Sequence, residues 1–217
     1  MSARKQFEEE LAELKTKLVE MCRLTADMIA DATEALATFD RDLGMSIHER
    51  DKRVDEYEMD IEKKCMRMLI RQHPVAGDFR KVSTALKMIT DIERFGDQAA
   101  DIGDLVFTMP GDRYMKEPVH LTAMGRLAVR MVRDSVDSFI FNDEKLADEV
   151  IALDDEMDDM FITVKNELIG LIHEDSQNGD QAITLMMVAK YLERIGDHAV
   201  NVAEWTKYNE TGVHQKF

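Results

Sequence analysis

Two stretches of the chain, one hundred positions apart, place carboxylates at three- and four-residue intervals. The first reads ERFGDQAADIGDLV at 93–106 and the second reads ERIGDHAVNVAEWT at 193–206. Each residue of an α-helix advances by roughly 100°, so side chains at this spacing lie on one face. The first stripe comprises Glu93, Asp97, Asp101 and Asp104, and the second comprises Glu193, Asp197, Asn201 and Glu204. Apolar side chains continue both lines, which predicts that the acids point towards a helical core.

Carboxylates on an apolar face require a compensating charge. Like charges four residues apart destabilise even an exposed helix by roughly 0.2–0.5 kcal/mol per pair, and burial raises the cost. Arg94 and Arg194 are adjacent in sequence, but they point about 100° away from their own stripes. A metal ion is the other candidate, and an all-oxygen site favours a hard ion such as Mg²⁺, Mn²⁺, Ca²⁺ or iron.

An ordinary solvated helix face is the alternative explanation for an acidic stripe. Three features argue against it: the apolar continuation, the duplication, and Gly96 and Gly196 inside the helical pattern. Asp31 and Asp134 lie on the inner line of an earlier helix in each repeat, so we expect that they complete the ligand sets. Two further pairs at the edge of an apolar face are weaker ligand candidates, and a solvated surface position is predicted for them: Asp51 with Asp154, and Asp55 with Asp158.

Neither of two candidate histidines is predicted to be a metal ligand. His198 is adjacent to Asp197 but rotated off the stripe, and it is predicted to lie on the surface. The Glu-x-x-His spacing typical of di-iron bundles occurs once, at 117–120, and has no counterpart in the other repeat.

The composition indicates a helical protein with an acidic surface. The 217 residues include only 10 glycines and 3 prolines, and the net charge of −16 disfavours nucleic acid and anionic membrane as partners. The acidic N-terminus lacks a signal sequence, and no apolar run suits a membrane span. Cys22 and Cys65 are in no paired spacing and are predicted to be buried free thiols. A cytoplasmic location without membrane insertion is therefore expected.

Apolar side chains at three- and four-residue steps predict six helices. They span about 4–39, 45–72, 78–107, 118–141, 143–173 and 180–208. Breaks are predicted at 40–44, His73-Pro74, 109–112, Asn142 and 178–180, and a frayed tail is expected at 209–217.

The six helices form an internal repeat. An offset of 103 aligns the first two helices of each half, and an offset of 100 aligns the third. The predicted fold is all-α, with two tandem antiparallel three-helix bundles related by this repeat, because short connections make neighbouring helices antiparallel. The predicted domains are 1–109 and 113–217.

The doubled motif, together with RDKRVDEYE at 50–58 and LDDEMDDMF at 153–161, resembles the PhoU family over nearly the whole chain. The resemblance implies a cytoplasmic negative regulator of phosphate uptake and phosphate-starvation signalling. Such a protein is expected to connect the ATPase of the high-affinity phosphate ABC transporter with a phosphate-sensing histidine kinase, and to form a homodimer.

The resemblance also implies metal ions (iron, Mn, Mg or Zn) on E/D-x-x-x-D motifs. Here these motifs are Glu93 with Asp97 and Glu193 with Asp197. Asn201 takes the place of an acid in the second copy, so we expect a weaker second site.

Two functional classes compete on the sequence. The regulator hypothesis predicts no enzymatic activity and, given the net charge of −16, indirect sensing of phosphate. The alternative is a carboxylate-bridged metal hydrolase or oxidase, although the sequence shows no nucleophile–base set, phosphate loop or zinc spacing. Metals with a purely structural role are a third possibility.

Overall fold

The computed structural model describes residues 3–72 and 74–212; His73 and the end of the expected tail, 213–217, lie outside the described residues. Six α-helices contain most of these residues, and the described ranges contain no strand, so the all-α prediction is confirmed. The helices are α1 (Ala3–Thr38), α2 (Arg41–Gln72), α3 (Ala76–Phe107), α4 (Val119–Phe141), α5 (Glu144–Glu174) and α6 (Gly179–Thr211), with a 3₁₀ turn at Ser176–Asn178.

The helix ends differ from the predictions where capping residues decide them. The predicted break at 40–44 is shorter, because Phe39 turns the chain at φ 59° and Asp40 accepts a hydrogen bond from the Leu43 backbone N–H at 2.9 Å. Asn142 has a left-handed conformation that ends α4, while the Asp143 carboxylate caps α5. Helix α6 continues past the predicted end at 208 to Thr211.

The helices pack as two three-helix bundles, α1–α3 and α4–α6, as predicted. Helix α1 also packs against α4, and α3 packs against α6. A single apolar core runs through both bundles. The repeats are therefore packed side by side, and none of the described helices is both long and apolar enough to cross a bilayer.

Glycines allow the closest helix approaches. A Cβ added to Gly103 in α3 would lie 2.5 Å from the carbonyl oxygen of Gly44 in α2. A Cβ added to Gly125 in α4 would lie 2.1 Å from Thr33 Oγ1 in α1. Larger residues at these positions would push apart the α2–α3 pair within one bundle and the α1–α4 pair between bundles.

The segment between α3 and α4 is held against both bundles. Arg41 Nη2 donates to the carbonyl of Met109 at 2.7 Å, and the Tyr114 hydroxyl donates to the Leu36 carbonyl at 2.6 Å. From the second bundle, Gln181 Nε2 donates to the Pro110 carbonyl at 2.7 Å. These bonds fix the connection and, with it, the relative positions of α3 and α4.

Two carboxylate clusters as candidate metal sites

The first bundle contains a cluster of five carboxylates at the α2–α3 contact, here called the first cluster: Asp51, Asp55, Glu58, Glu93 and Asp97. Their charges act on one another, since the pKa values of Asp51, Glu58 and Glu93 are each raised by burial first and then by neighbouring acids of this group or by Glu62. The cluster is therefore built from α2 as much as from α3.

Glu93 is the most perturbed acid of the first cluster. Its side chain is 15% exposed, and burial followed by the charge of Asp97 raises its pKa to about 7. Glu93 Oε2 and Asp51 Oδ1 are buried atoms without a hydrogen-bond partner among the described residues. Two buried carboxylate oxygens of this cluster therefore accept no hydrogen bond.

Arg94 compensates part of this charge, which corrects the expectation that it points away from the stripe. Its Nη1 donates to Asp97 Oδ2, and its Nε lies 3.4 Å from Glu93 Oε2. The rotation of the helix directs the Cβ of Arg94 away, but the long side chain curls back. The contact with Glu93 is an ion pair without a hydrogen bond.

Glycine provides the space for Asp51. A Cβ on Gly96 would lie 3.1 Å from a Val54 methyl and 3.4 Å from Asp51 Oδ1. In the second repeat a Cβ on Gly196 would lie 3.6 Å from Asp154 Oδ1. The two glycines therefore leave room beside Asp51 and Asp154.

The second bundle contains the related second cluster at the α5–α6 contact: Asp154, Asp158, Glu193 and Asp197. Burial first, and then the charges of Asp197 and Asp158, raise the pKa of Asp154 to about 6. Burial followed by Glu193 also raises the pKa of Asp197. The expectation that Asp51 and Asp154 are solvated surface residues was wrong, because both are half-buried and face the stripes.

The second cluster contains a lysine and a phenylalanine that have no counterpart in the first cluster. Lys190 Nζ in α6 donates to both oxygens of Glu193 and lies 5.7 Å from the centroid of the Phe161 ring. The repeat offsets place Thr90 and Glu58 at the corresponding positions of the first cluster. The second cluster thus has a lysine where the first has a threonine, and a phenylalanine where the first has a carboxylate.

The lower parts of both stripes lie at the contact between the bundles, not in the clusters. Asp101 of α3 lies near Tyr191 of α6, since burial first and then the charge of Asp101 raise the pKa of this tyrosine. Asn201 Nδ2 donates to Asp91 Oδ1 at 3.2 Å. His198 Nδ1 lies 2.9 Å from the same Asp91 oxygen. The α3–α6 contact therefore contains two pairs of residues at repeat-related positions, Asp101 with Tyr191 and Asn201 with Asp91. The prediction of a surface histidine at 198 was wrong, because this side chain lies at the same contact.

The remaining candidates have arginine partners. Asp31 is 42% exposed and pairs with Arg50 of α2 at 2.7 Å, and Asp134 pairs with Arg130 of its own helix at 3.3 Å. Their assignment as metal ligands stays a prediction. The inward orientation expected for both stripes holds for Glu93 and Glu193, whose side chains are 15% and 13% exposed. It does not hold for the exposed members of the stripes: Asp101, Asp104, Asp197 and Asn201.

The donor chemistry of the first cluster fits a hard cation. Carboxylate oxygens are ligands that such ions prefer, and two of the oxygens are buried without a hydrogen-bond partner. Within the described ranges, however, no three acidic, histidine or cysteine side chains are already arranged to hold a metal ion together. Binding at this cluster would therefore require side chains to rotate.

A duplicated three-helix bundle with a carboxylate cluster in each repeat defines the class of this protein. The PhoU domain family model matches the chain twice, at residues 18–106 and 121–206. The chain belongs to the PhoU family.

Relatives match along nearly the whole length. The chain is 35% identical over 210 residues to the phosphate-specific transport system accessory protein PhoU homolog of Clostridium acetobutylicum, covering 96% of each chain. It is 37% identical over 185 residues to the Aquifex aeolicus homolog, covering 85% of this chain and 84% of the relative.

Solved structures give the same result. The crystal structure of PhoU from Pseudomonas aeruginosa superposes with a TM-score of 0.91 at 29% identity, covering 95% of this chain and 100% of the other. The phosphate transport system regulatory protein PhoU from Streptococcus pneumoniae superposes with a TM-score of 0.90 at 26% identity, covering 97% and 100%. The tandem arrangement of the two repeats is thus shared with these structures.

Proposed function

We propose that this chain is a regulatory accessory protein of phosphate transport that acts in the cytoplasm. It connects the ATPase of a high-affinity phosphate ABC transporter with a phosphate-sensing histidine kinase. It restrains uptake and starvation signalling when phosphate is plentiful. We also propose that the chain forms a homodimer.

The observation that carries the proposal is the match to the family over both repeats, with relatives named as accessory proteins of the phosphate-specific transport system. The net charge of −16 supports an adaptor role, because an acidic surface repels free phosphate and favours docking to basic protein surfaces. The phosphate signal is therefore proposed to arrive through the conformation of the transporter.

The metal part of the proposal concerns the first cluster. Glu93 and Asp51 supply buried oxygens without hydrogen bonds, and Asp97 is already paired with Arg94. When bound there, a hard divalent ion would supply the positive charge that these oxygens lack. The acids of this chain would hold the ion and, through it, fix the α2–α3 contact.

One observation favours the alternative of a metal enzyme. The pKa values of Glu93 and Asp154, at about 7 and about 6, lie in the range that general acids and bases use. Burial and like charges account for both shifts without a substrate. An assay of phosphatase and oxidase turnover on Mn²⁺- and Fe²⁺-loaded protein separates the classes; turnover above background that disappears in Glu93→Gln would favour the enzyme.

The proposal is tested by capture of purified partners. The immobilised chain is expected to retain the transporter ATPase and the cytoplasmic part of the kinase, and Asp97→Asn with Asp197→Asn is expected to weaken this capture. A control with the same change of charge is Glu34→Gln with Glu149→Gln, two exposed acids on α1 and α5. No capture by the wild type, or equal loss in the control, would contradict the proposal.

A further inference from the structure

The lysine of the second cluster occupies the position where the first cluster lacks a cation. Lys190 Nζ donates to both oxygens of Glu193, whose side chain is 13% exposed. Both oxygens of this glutamate therefore have a positively charged donor. In the first cluster, Glu93 Oε2 accepts no hydrogen bond, and Arg94 Nε lies 3.4 Å from it.

Phe161 stabilises the lysine in this position. Its ring centroid lies 5.7 Å from the ammonium, within the range of a cation–π contact. The ring also packs against the apolar core, so it is fixed independently of the lysine. Phe161 also takes the place of a carboxylate, because Glu58 occupies the corresponding position in the first cluster.

The difference has a physical consequence for binding. An incoming divalent ion at the second cluster would meet a bound ammonium, and it would have to displace this group from Glu193. It would also find four carboxylates instead of five. Arg94 does not close the first cluster in the same way, because its hydrogen bond goes to Asp97, and Glu93 Oε2 and Asp51 Oδ1 accept no hydrogen bond.

We propose that Lys190, supported by Phe161, is the built-in cation of the second cluster, so that the chain binds a hard divalent cation at the first cluster alone. This inference rests on the metal binding stated under the proposed function. It attributes the unequal metal binding of the two repeats to Lys190. The earlier expectation assigned it to Asn201, whose amide lies at the α3–α6 contact and donates to Asp91.

Mn²⁺ titration followed by electron paramagnetic resonance counts bound ions on the isolated chain, because the signal of free Mn²⁺ is lost on binding. The wild type is expected to bind one equivalent of Mn²⁺, and Glu93→Gln should weaken this binding at least tenfold. Lys190→Thr with Phe161→Glu gives the second cluster the residues of the first and should bind two. Thr90→Lys with Glu58→Phe makes the reverse exchange and should bind none.

Single variants separate charge from folding defects. Lys190→Met is expected to open the second cluster, and Lys190→Arg, which keeps the charge, is expected to leave the stoichiometry at one; circular dichroism reports folding. Two equivalents on the wild type, or an unchanged count in both Lys190→Met and the double exchange, would overturn the assignment. A wild type without bound Mn²⁺, next to a double exchange that binds one, would instead overturn the metal part of the proposed function and support the role of Lys190.

Discussion

Replacing Glu93 by glutamine should stabilise the metal-free protein at high pH. The pKa of Glu93 is raised from 4.5 to about 7 by burial and then by Asp97. One pKa unit corresponds to about 1.4 kcal/mol, so ionising this group costs the fold up to about 3 kcal/mol. Its side chain is 15% exposed, so solvent screening reduces this figure only modestly.

The sign of the pH dependence follows from proton binding. Between pH 4.5 and about 7 the folded state holds the Glu93 proton and the unfolded state does not. The contribution of this group to stability is therefore present in full below pH 4.5, and it is lost as the pH rises through about 7. An amide carries no charge at any of these values, so Glu93→Gln should gain stability over the wild type as the pH increases.

Thermal unfolding in EDTA at pH 4.5, 6 and 8 measures the effect. For a chain of this length, 1 kcal/mol shifts Tm by about 2–4 °C, so the variant should exceed the wild type by up to about 6–12 °C at pH 8 and by little at pH 4.5. Glu193→Gln is the matched control, because it removes an ion pair with Lys190 and should lower stability by up to about 1 kcal/mol. A gain that is equal at all three pH values, or equal in both variants, would refute the reasoning.

Three further predictions concern packing, the contact between bundles and phosphate. Gly125→Ala should lower the free energy of unfolding by about 1–3 kcal/mol in urea titration, because the added Cβ meets Thr33, whereas Gly170→Ala, with nothing within 4 Å, should raise it by up to about 1 kcal/mol. Asn201→Asp should cost about 1 kcal/mol at pH 8 by the same measurement, since it removes a hydrogen bond to Asp91 and adds a like charge. Calorimetry should detect no saturable binding of inorganic phosphate to the metal-free protein, and a defined stoichiometry would contradict indirect sensing.

The helices and the repeat could be predicted from the sequence because both leave periodic signals. Apolar residues at three- and four-residue steps fixed the helices, and a constant offset revealed the duplication. The helix ends were less predictable, since a single cap such as Asp40 or Asn142 decides them. The packing of α1 on α4 and of α3 on α6 leaves no such signal, because it depends on how the two bundles dock.

The candidate sites were predictable on one helix only. The spacing of Glu93 and Asp97 placed both acids on a common face, but it did not identify the acids that α2 contributes. Helix periodicity gives the direction of a Cβ and not the end of a long side chain, so the pairing of Arg94 was missed. The difference between Lys190 and Thr90 was visible in the aligned repeats. Its effect on the second cluster could be inferred only from the contact between Lys190 and Glu193 in the structure.

The contacts of His198 could not be predicted because its partner belongs to the other repeat. Asp91 lies more than one hundred positions away, and only the antiparallel docking of α3 and α6 brings the two side chains to 2.9 Å. The same docking explains why Asn201 faces α3 instead of completing a ligand set.

The central claim, that this chain regulates phosphate uptake, is tested most directly in a bacterium that lacks its own PhoU protein and carries a reporter of the phosphate-starvation genes. With plentiful phosphate, the reporter should be active without the chain and repressed when the chain is supplied. Phosphate uptake, measured in the same cells, should fall in parallel. A reporter that stays active, although the chain accumulates as a folded protein, would contradict the account.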